Sequence, residues 1–491
     1  MKRQNDPEGV RLPIKLDSTS NGEFLPVPLS PANRAANRLA HESAARNAQH
    51  VGLSRRDFLV SACGAASTLL AFNAANAAAA RTGGFFDVPA EAARDQALAA
   101  AATGGKGEFI FDVQGHFVDP SGAWLQSAPA DAFKWSPKAA CGLASTPGPR
   151  SHLACLGPEE FVKDVFLDSD TDMMVLSFVP ARRDAEPLTM EAADAVRRIV
   201  DRLQGTHRLM IHGRVNPNQA GDLEGMDELK ARWGVCAWKT YTQWGPDGKG
   251  FFLSDDTGTR FIEKARALGV KVICVHKGLP FGKQSYGHSQ CSDIGVVAKR
   301  FPDVNFLIYH SGFVTGVPEL PYDHAANRDG IDTLIRSLIE NDVKPNSNVY
   351  AELGSTWRFL MREPTQAAHA LGKLINYCGE NNVLWGTDSI WYGSPQDQIQ
   401  AFRTFQISPA LRAKLGYPEL TPALRAKIFG LSAARVYGVS PAEVKKYASR
   451  DAIARERAAY EERPDPHYLT YGPKTRREFM NVLSWNGGSR A

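Results

Sequence analysis

The chain has no Cys-x-x-Cys pair, no internal repeat beyond an alternation of strand and helix patterns, and no glycine-rich loop after its first apolar strand. The first absence leaves no zinc-ribbon or dithiol redox motif. The last removes the signature of a dinucleotide-binding, doubly wound sheet, which stands only as the second choice of fold. Charge of one sign is also scarce. The formal charge of +4 is carried largely by residues 1–58, which hold nine Lys/Arg against six Asp/Glu, so the remainder is close to neutral and gives no electrostatic case for nucleic acid. The most apolar stretch, near residues 58–80, is too short and too rich in Ala, Gly and Ser to make a stable membrane span.

What is present is the composition of a soluble globular protein. With 43% hydrophobic and 22% charged residues over 491, the chain can build one large domain or two ordinary ones, and general disorder is not expected. The segment "LSRRDFLVSACGAASTLLAFNAANAAAA" sets Arg55 and Arg56 before an apolar run that ends in small residues. It resembles a twin-arginine export signal with cleavage after Ala75-Asn76-Ala77. This reading makes residues 1–77 a leader outside the fold and 78–108 a linker, with the twin-arginine translocation machinery as a partner and the periplasm as destination. An oxidising destination permits disulfides, and Cys141 with Cys155, flanking a Pro/Gly loop, is the best candidate pair. Cys236 and Cys274 read as small buried hydrophobes.

From residue 109 onward, eight short apolar runs recur: "FIFDVQ" (109), "DMMVLSFV" (172), "RLMIHGRV" (208), "VCAWKTY" (235), "VKVICVH" (270), "NFLIYH" (305), "NVYAEL" (348) and "NVLWGTD" (382). Stretches between them, such as "GIDTLIRSLIEN", have apolar residues at helical spacing. Continuous apolar strands alternating with helices predict a parallel sheet, and eight of them predict a closed (β/α)8 TIM barrel over residues 109–438. An insertion at about residues 121–165 and a helical C-terminal extension, 439–491, complete the reading.

On a barrel of this kind, chemistry sits at the carboxyl ends of the strands. His116, His276, His310 and Asp388 stand at those ends on the first, fifth, sixth and eighth strands, and imidazole with carboxylate donors suits Zn²⁺ and other first-row ions. Asp112, Gln114 and His116 share one strand face because side chains alternate with period two. The Asp112–His116 stretch, "VHKG", "YHSG", "WGTD" and "KIFGLSAARVYG" together resemble the amidohydrolase superfamily, in its amidohydrolase-related branch.

That resemblance implies one divalent metal ion, zinc first with manganese or another ion open, held by His116, His276 and Asp388. His310 is then a catalytic group beside it, and Asp388 also accepts a proton from water. Family members carry a further ligand, His or Glu, two residues before the first histidine; here Gln114 stands there and is expected within reach of the metal. Lys239, Arg182 and Arg214 are the candidates for substrate binding. Glu352 is a candidate partner for a ligand histidine.

The function expected is metal-dependent hydrolysis of an ester, lactone or amide bond in a small organic substrate. Two alternatives stand beside it: a non-oxidative decarboxylase of an aromatic or unsaturated acid, and a catalytically impaired periplasmic binding protein. Homo-oligomer formation stays open.

Overall fold

The computed structural model describes residues 5–127, 151–202, 206–281 and 284–485. Its strands are β1 (Gly84–Phe86), β2 (Phe111–Gly115), β3 (Met173–Leu176), β4 (Leu209–Arg214), β5 (Ala237–Tyr241), β6 (Val272–His276), β7 (Asn305–Tyr309), β8 (Val349–Glu352), β9 (Val383–Leu384) and β10 (Phe405–Ile407). Strands β2 to β9 pair in chain order, every neighbour parallel. A bridge between Gly115 and Ser389, with the Val113 N–H on the Trp385 carbonyl (3.1 Å), brings the first and last strands together. The result is the expected TIM barrel. Strands such as Val272–His276 are buried throughout, as continuous apolar runs between two covering layers must be.

The helices follow their pattern. Ile331, Leu334, Ile335 and Leu338, spaced i, i+3, i+4, i+7, are all buried on helix Ile331–Glu340. Past the eighth strand, helix Ser432–Tyr437 lies within the span read as barrel, and helices Pro441–Ala448, Ala452–Glu461 and Arg476–Trp485 make up the helical C-terminal part. Of the insertion, Cys141 lies outside the described residues, while Cys155 is disulfide-bonded. Cys274 is buried and Cys236 partly so, both as free thiols.

Residues 5–103, expected as a detachable leader and linker, pack into the fold. Helix α1 (Pro31–His50) opens on a capping box between Ser30 and Asn33, then buries Ala32, Ala36, Ala40, Ala44 and Ala48 along one ridge. That ridge lies on α3 (Ala62–Ala78), itself built of small residues, so the two backbones approach closely. Between them, α2 (Arg55–Val60) carries the paired arginines. Arg56 is 2% exposed. It pairs with Asp6 (3.8 Å) and Asp465 (3.7 Å), donates to the Pro466 carbonyl and lies over the Tyr468 ring at 4.9 Å. Arg55 donates to the carbonyls of Gly9 and His41, each at 2.9 Å. In the full-length chain the two arginines and the alanine-rich run form a buried ion-pair cluster beside a close-packed helix pair. The supposed linker holds β1, paired antiparallel with β10, and α4 (Gln96–Thr103). No helix among the described residues is long and apolar enough to cross a membrane.

A buried cation of this kind is costly to remove, since its acidic partners stay behind. Arg56→Ala is expected to lower unfolding free energy by on the order of 3–5 kcal/mol in chemical denaturation. Stability within about 0.5 kcal/mol of the parent, the level of an inert surface change, would contradict the packing of α2.

Candidate metal centre

The site is assembled at the seam between β2 and the segment after β9. Asp112 accepts hydrogen bonds from the backbone N–H of Gln114 (3.0 Å) and of Thr387 (3.1 Å), and from the Thr387 hydroxyl. The Asp388 N–H donates to the Gln114 carbonyl (2.9 Å) and the His116 N–H to the Ser389 carbonyl (2.5 Å). These bonds bring His116 Nε2 within 3.1 Å of Asp388 Oδ1, while His116 Nδ1 donates to the Ser177 carbonyl (3.0 Å). Gln114 donates from Nε2 to the same Asp388 oxygen (3.1 Å). Its Oε1 has no hydrogen-bond partner and lies against Gly354, where a Cβ would sit only 2.1 Å away. Residue 354 is glycine because Gln114 fills the space.

His276 ends β6 and His310 follows β7. Their rings meet edge to face at 4.7 Å, and Tyr241 stacks on His276 at 4.7 Å. His310 Nδ1 donates to the Gly354 carbonyl (2.7 Å) and His276 Nε2 to the Leu279 carbonyl (3.4 Å). Each ring therefore turns its other nitrogen, a lone pair, inward. Neither His276 Nδ1 nor His310 Nε2 has a hydrogen-bond partner, and both residues are fully buried. His310, Ser311, Ser355 and Asp388 all have φ between +53° and +65°, a left-handed backbone that costs roughly 1–3 kcal/mol per residue outside glycine. Glu352 holds His310 in place. Its carboxylate accepts the backbone N–H groups of His310 (3.0 Å) and Gly354 (2.6 Å). The expected contact of Glu352 with a ligand histidine's ring is thus made to a backbone instead. Gly386 of the "WGTD" motif leaves room for this carboxylate, 1.6 Å from where a Cβ would stand.

The N-terminal arm also reaches this point. Glu23 Oε1 lies 3.4 Å from His276 Nδ1, and its Oε2 lies 3.5 Å from His310 Nε2. Asn21 Nδ2 donates both to Glu23 Oε2 (2.5 Å) and to Asp388 Oδ2 (2.6 Å), and Ser355 donates to the latter oxygen (2.5 Å). Glu23, His276 and His310 can place their ligand atoms within 4.8 Å of one another, whereas His116 and Asp388 form the adjoining pair. Lys239, fully buried on β5, has no hydrogen-bond partner and rests 3.6 Å above the Tyr309 ring. Arg182 and Arg214 are not brought in. The first pairs with Asp184 (3.2 Å) and the second with Glu186, and neither bonds to the cluster.

Burial sets the charges. It pushes Glu23 well above the usual carboxylate range, with Asp388 adding to the shift, and lifts Glu352 to about 8 and Asp112 to about 7. Burial holds His276 well below its ordinary value and His310 down to about 4, so both are neutral and fit to donate a lone pair. Burial opposes ionisation of Asp388 too, but the hydrogen bond and charge of His116, with His310 and Ser355, keep it far below the usual range. Above the cluster the cavity edged by Asn21, Gly22, Glu23, Trp244, Phe281 and Trp391 measures ≈ 30 Å³, room for about one or two waters.

Glu23 and Asn21 escaped the sequence reading because no motif marks them. His212 escaped it as well; buried on β4, it bonds Ser177 and Tyr437 inside the barrel. Its only signal was a polar residue in an apolar strand.

A family model described as Amidohydrolase matches residues 111–439. Among solved structures, the chain is similar to 2,6-dihydroxybenzoate decarboxylase from Rhizobium (15% identity, TM-score 0.39, 67% of this chain and 99% of that one). It is similar also to 5-carboxyvanillate decarboxylase from Sphingomonas paucimobilis (14%, 0.41, 68% and 100%). A third is 4-oxalomesaconate hydratase from Rhodopseudomonas palustris (14%, 0.36, 70% and 98%). No curated protein matches the chain by sequence.

Lys239 gives a pH test. Burial, only partly offset by Glu23, lowers its ammonium from the ordinary 10.5 to about 8. Between those values the unfolded chain binds more protons than the native one, so this group makes stability rise with pH across the window. Below pH 8 it carries a constant cost on the order of 3 kcal/mol. Lys239→Met is therefore expected to be more stable than the parent at pH 7, with the gap narrowing toward pH 10 in denaturant titrations. A gap independent of pH would show that the fold does not move the Lys239 ammonium from its ordinary value.

Proposed function

The chain belongs to the amidohydrolase family, and from that membership we propose that it is a metal-dependent hydrolase of an ester, lactone or amide bond in a small organic substrate. One observation carries this reading: two buried imidazoles with inward, unpartnered nitrogens stand beside a buried His116–Asp388 pair. The donor set of His116, His276, Asp388 and His310 fits a divalent first-row ion, zinc before manganese. The carbonyls of Leu279 and Gly354 fix the two tautomers that such binding requires. A bound ion would supply Lewis acidity, polarising the substrate's reacting oxygen.

The chain's own groups then divide the remaining work. Asp388, held anionic, is placed to receive a proton at Oδ1 from the attacking water. Lys239 Nζ, 3.6 Å from the Tyr309 ring centroid and 4.8 Å from that of Tyr241, is positioned to hold a substrate carboxylate. Tyr241, Trp244 and Phe281 exclude bulk water, which strengthens each of these interactions.

That same lysine supports a second reading, non-oxidative decarboxylation of an aromatic or unsaturated acid. A buried cation against the Tyr241 and Tyr309 rings suits a planar carboxylate whose charge is lost in the reaction.

Chelation is expected to abolish turnover and lower the melting temperature, with Zn²⁺ or Mn²⁺ restoring both. His310→Ala is expected to lower kcat by about 10²–10⁴-fold. Assays of ester, lactone and amide panels run beside carbon dioxide detection separate the two readings: carbon dioxide release without hydrolysis would replace the first by the second.

A further inference from the structure

Asn21, Gly22 and Glu23 form a tight turn pressed into the barrel mouth. The Glu23 N–H donates to Asn21 Oδ1 (2.9 Å), the Gly22 N–H to Ser20 Oγ (3.0 Å), and Ser20 Oγ to the Phe24 carbonyl (2.5 Å). Gly22 has φ +88°, and the Ser20 N–H is fixed to the Pro473 carbonyl (2.9 Å). A turn secured on this scale aims one side chain, and it aims Glu23 at two imidazole nitrogens that carry lone pairs. A carboxylate facing two such lone pairs is repulsive. A cation among them turns every contact attractive.

We propose that Glu23 is a metal ligand, supplied by the N-terminal arm together with His276 Nδ1 and His310 Nε2, and that it replaces the acidic or imidazole donor that Gln114 does not provide. The separations agree with this role. Zinc bonded to oxygen and nitrogen at about 2.0–2.1 Å in a tetrahedron puts neighbouring ligand atoms about 3.3–3.4 Å apart. Glu23 Oε1 lies 3.4 Å from His276 Nδ1 and Oε2 lies 3.5 Å from His310 Nε2, so each nitrogen has one carboxylate oxygen close to that spacing. Gln114, by contrast, turns its amide nitrogen to Asp388 and its oxygen to Gly354. The charge balance agrees also: one amide nitrogen, Asn21 Nδ2, bridges the buried carboxylates of Glu23 and Asp388, an arrangement that a divalent ion neutralises. The assignment rests on the metal-dependent reading above, and it makes the arm part of the working site.

The test is to load the full-length protein with Zn²⁺, measure affinity by competition with a chromophoric chelator, and locate the ion by anomalous diffraction. The parent is expected to bind with the anomalous peak about 2.0–2.2 Å from a Glu23 oxygen. Glu23→Gln should weaken binding by at least ~100-fold, the upper range for lesser, outer contacts, and Glu23→Asp by less. Glu42→Gln, an exposed change on α1, should bind as the parent does. A parent that binds no divalent metal sinks both this inference and the metal-dependent reading. Metal bound equally well by parent and Glu23→Gln, or a peak more than about 3 Å from Glu23, overturns the inference alone. So does metal-loaded protein whose intact mass shows that residues 1–77 have been removed. Should Glu23→Gln not fold, the parent's anomalous peak decides.

Discussion

One carboxylate, Asp112, fixes where the barrel closes. It accepts from the backbone of its own strand at Gln114 and from the backbone and hydroxyl of Thr387 on the other side of the seam. A one-residue slip there would move Gln114 and His116 to the outer face, because side chains alternate with period two. With the register fixed, His116 meets Asp388 and the chemistry has a centre. Without it, the eight strands would still make a barrel, but the first and last would not present these two side chains to each other.

The second constraint is that the centre is dry. Charged groups buried together must be balanced locally, and the molecule does this with short hydrogen bonds to Asp388, backbone N–H groups on Glu352 and aromatic faces under Lys239. The strained backbone at His310, Ser311, Ser355 and Asp388 persists because these bonds over-determine it. Stability spent there recurs as placement of the imidazoles. The wider lesson is that the same desolvation that raises Glu23 and Glu352 lowers His276 and His310, leaving neutral donors next to acids that a cation would stabilise.

All eight barrel strands were legible from sequence, since strands buried on both faces are near-continuous apolar runs that need no alignment to find. "VKVICVH" and "NFLIYH" also showed their histidines, because a polar residue at the end of such a run sits where the barrel opens. The N-terminal region was not legible in the same way. Its arm, rich in Pro, Ser, Asn and Gly, has no period, and its meaning depends on partners more than three hundred residues away, such as Asp388 and Arg358. The alanine run of α3 reads two ways for a physical reason: small residues serve equally at a cleavable end and where two helices touch. Arg182 and Arg214 follow strands, as substrate-binding arginines do, but each has an acid close by in sequence or space that takes its charge.

The arm is held by the opposite end of the chain. Asn5 bonds Asp465, Thr19 bonds Thr470, and Ser20 bonds Pro473, whose neighbour Gly472 comes so close to the Ser20 carbonyl that no side chain fits between them. During synthesis, residues 5–20 must therefore wait for residues 465–473. At 5–20 residues per second, that interval is roughly 20–90 s for some 450 residues. Throughout it, helices α1 to α3 can pair locally while the turn that carries Glu23 has no seat. The barrel's mouth thus stays open until residues 465–473 have been made, and the turn that carries Glu23 is seated only then.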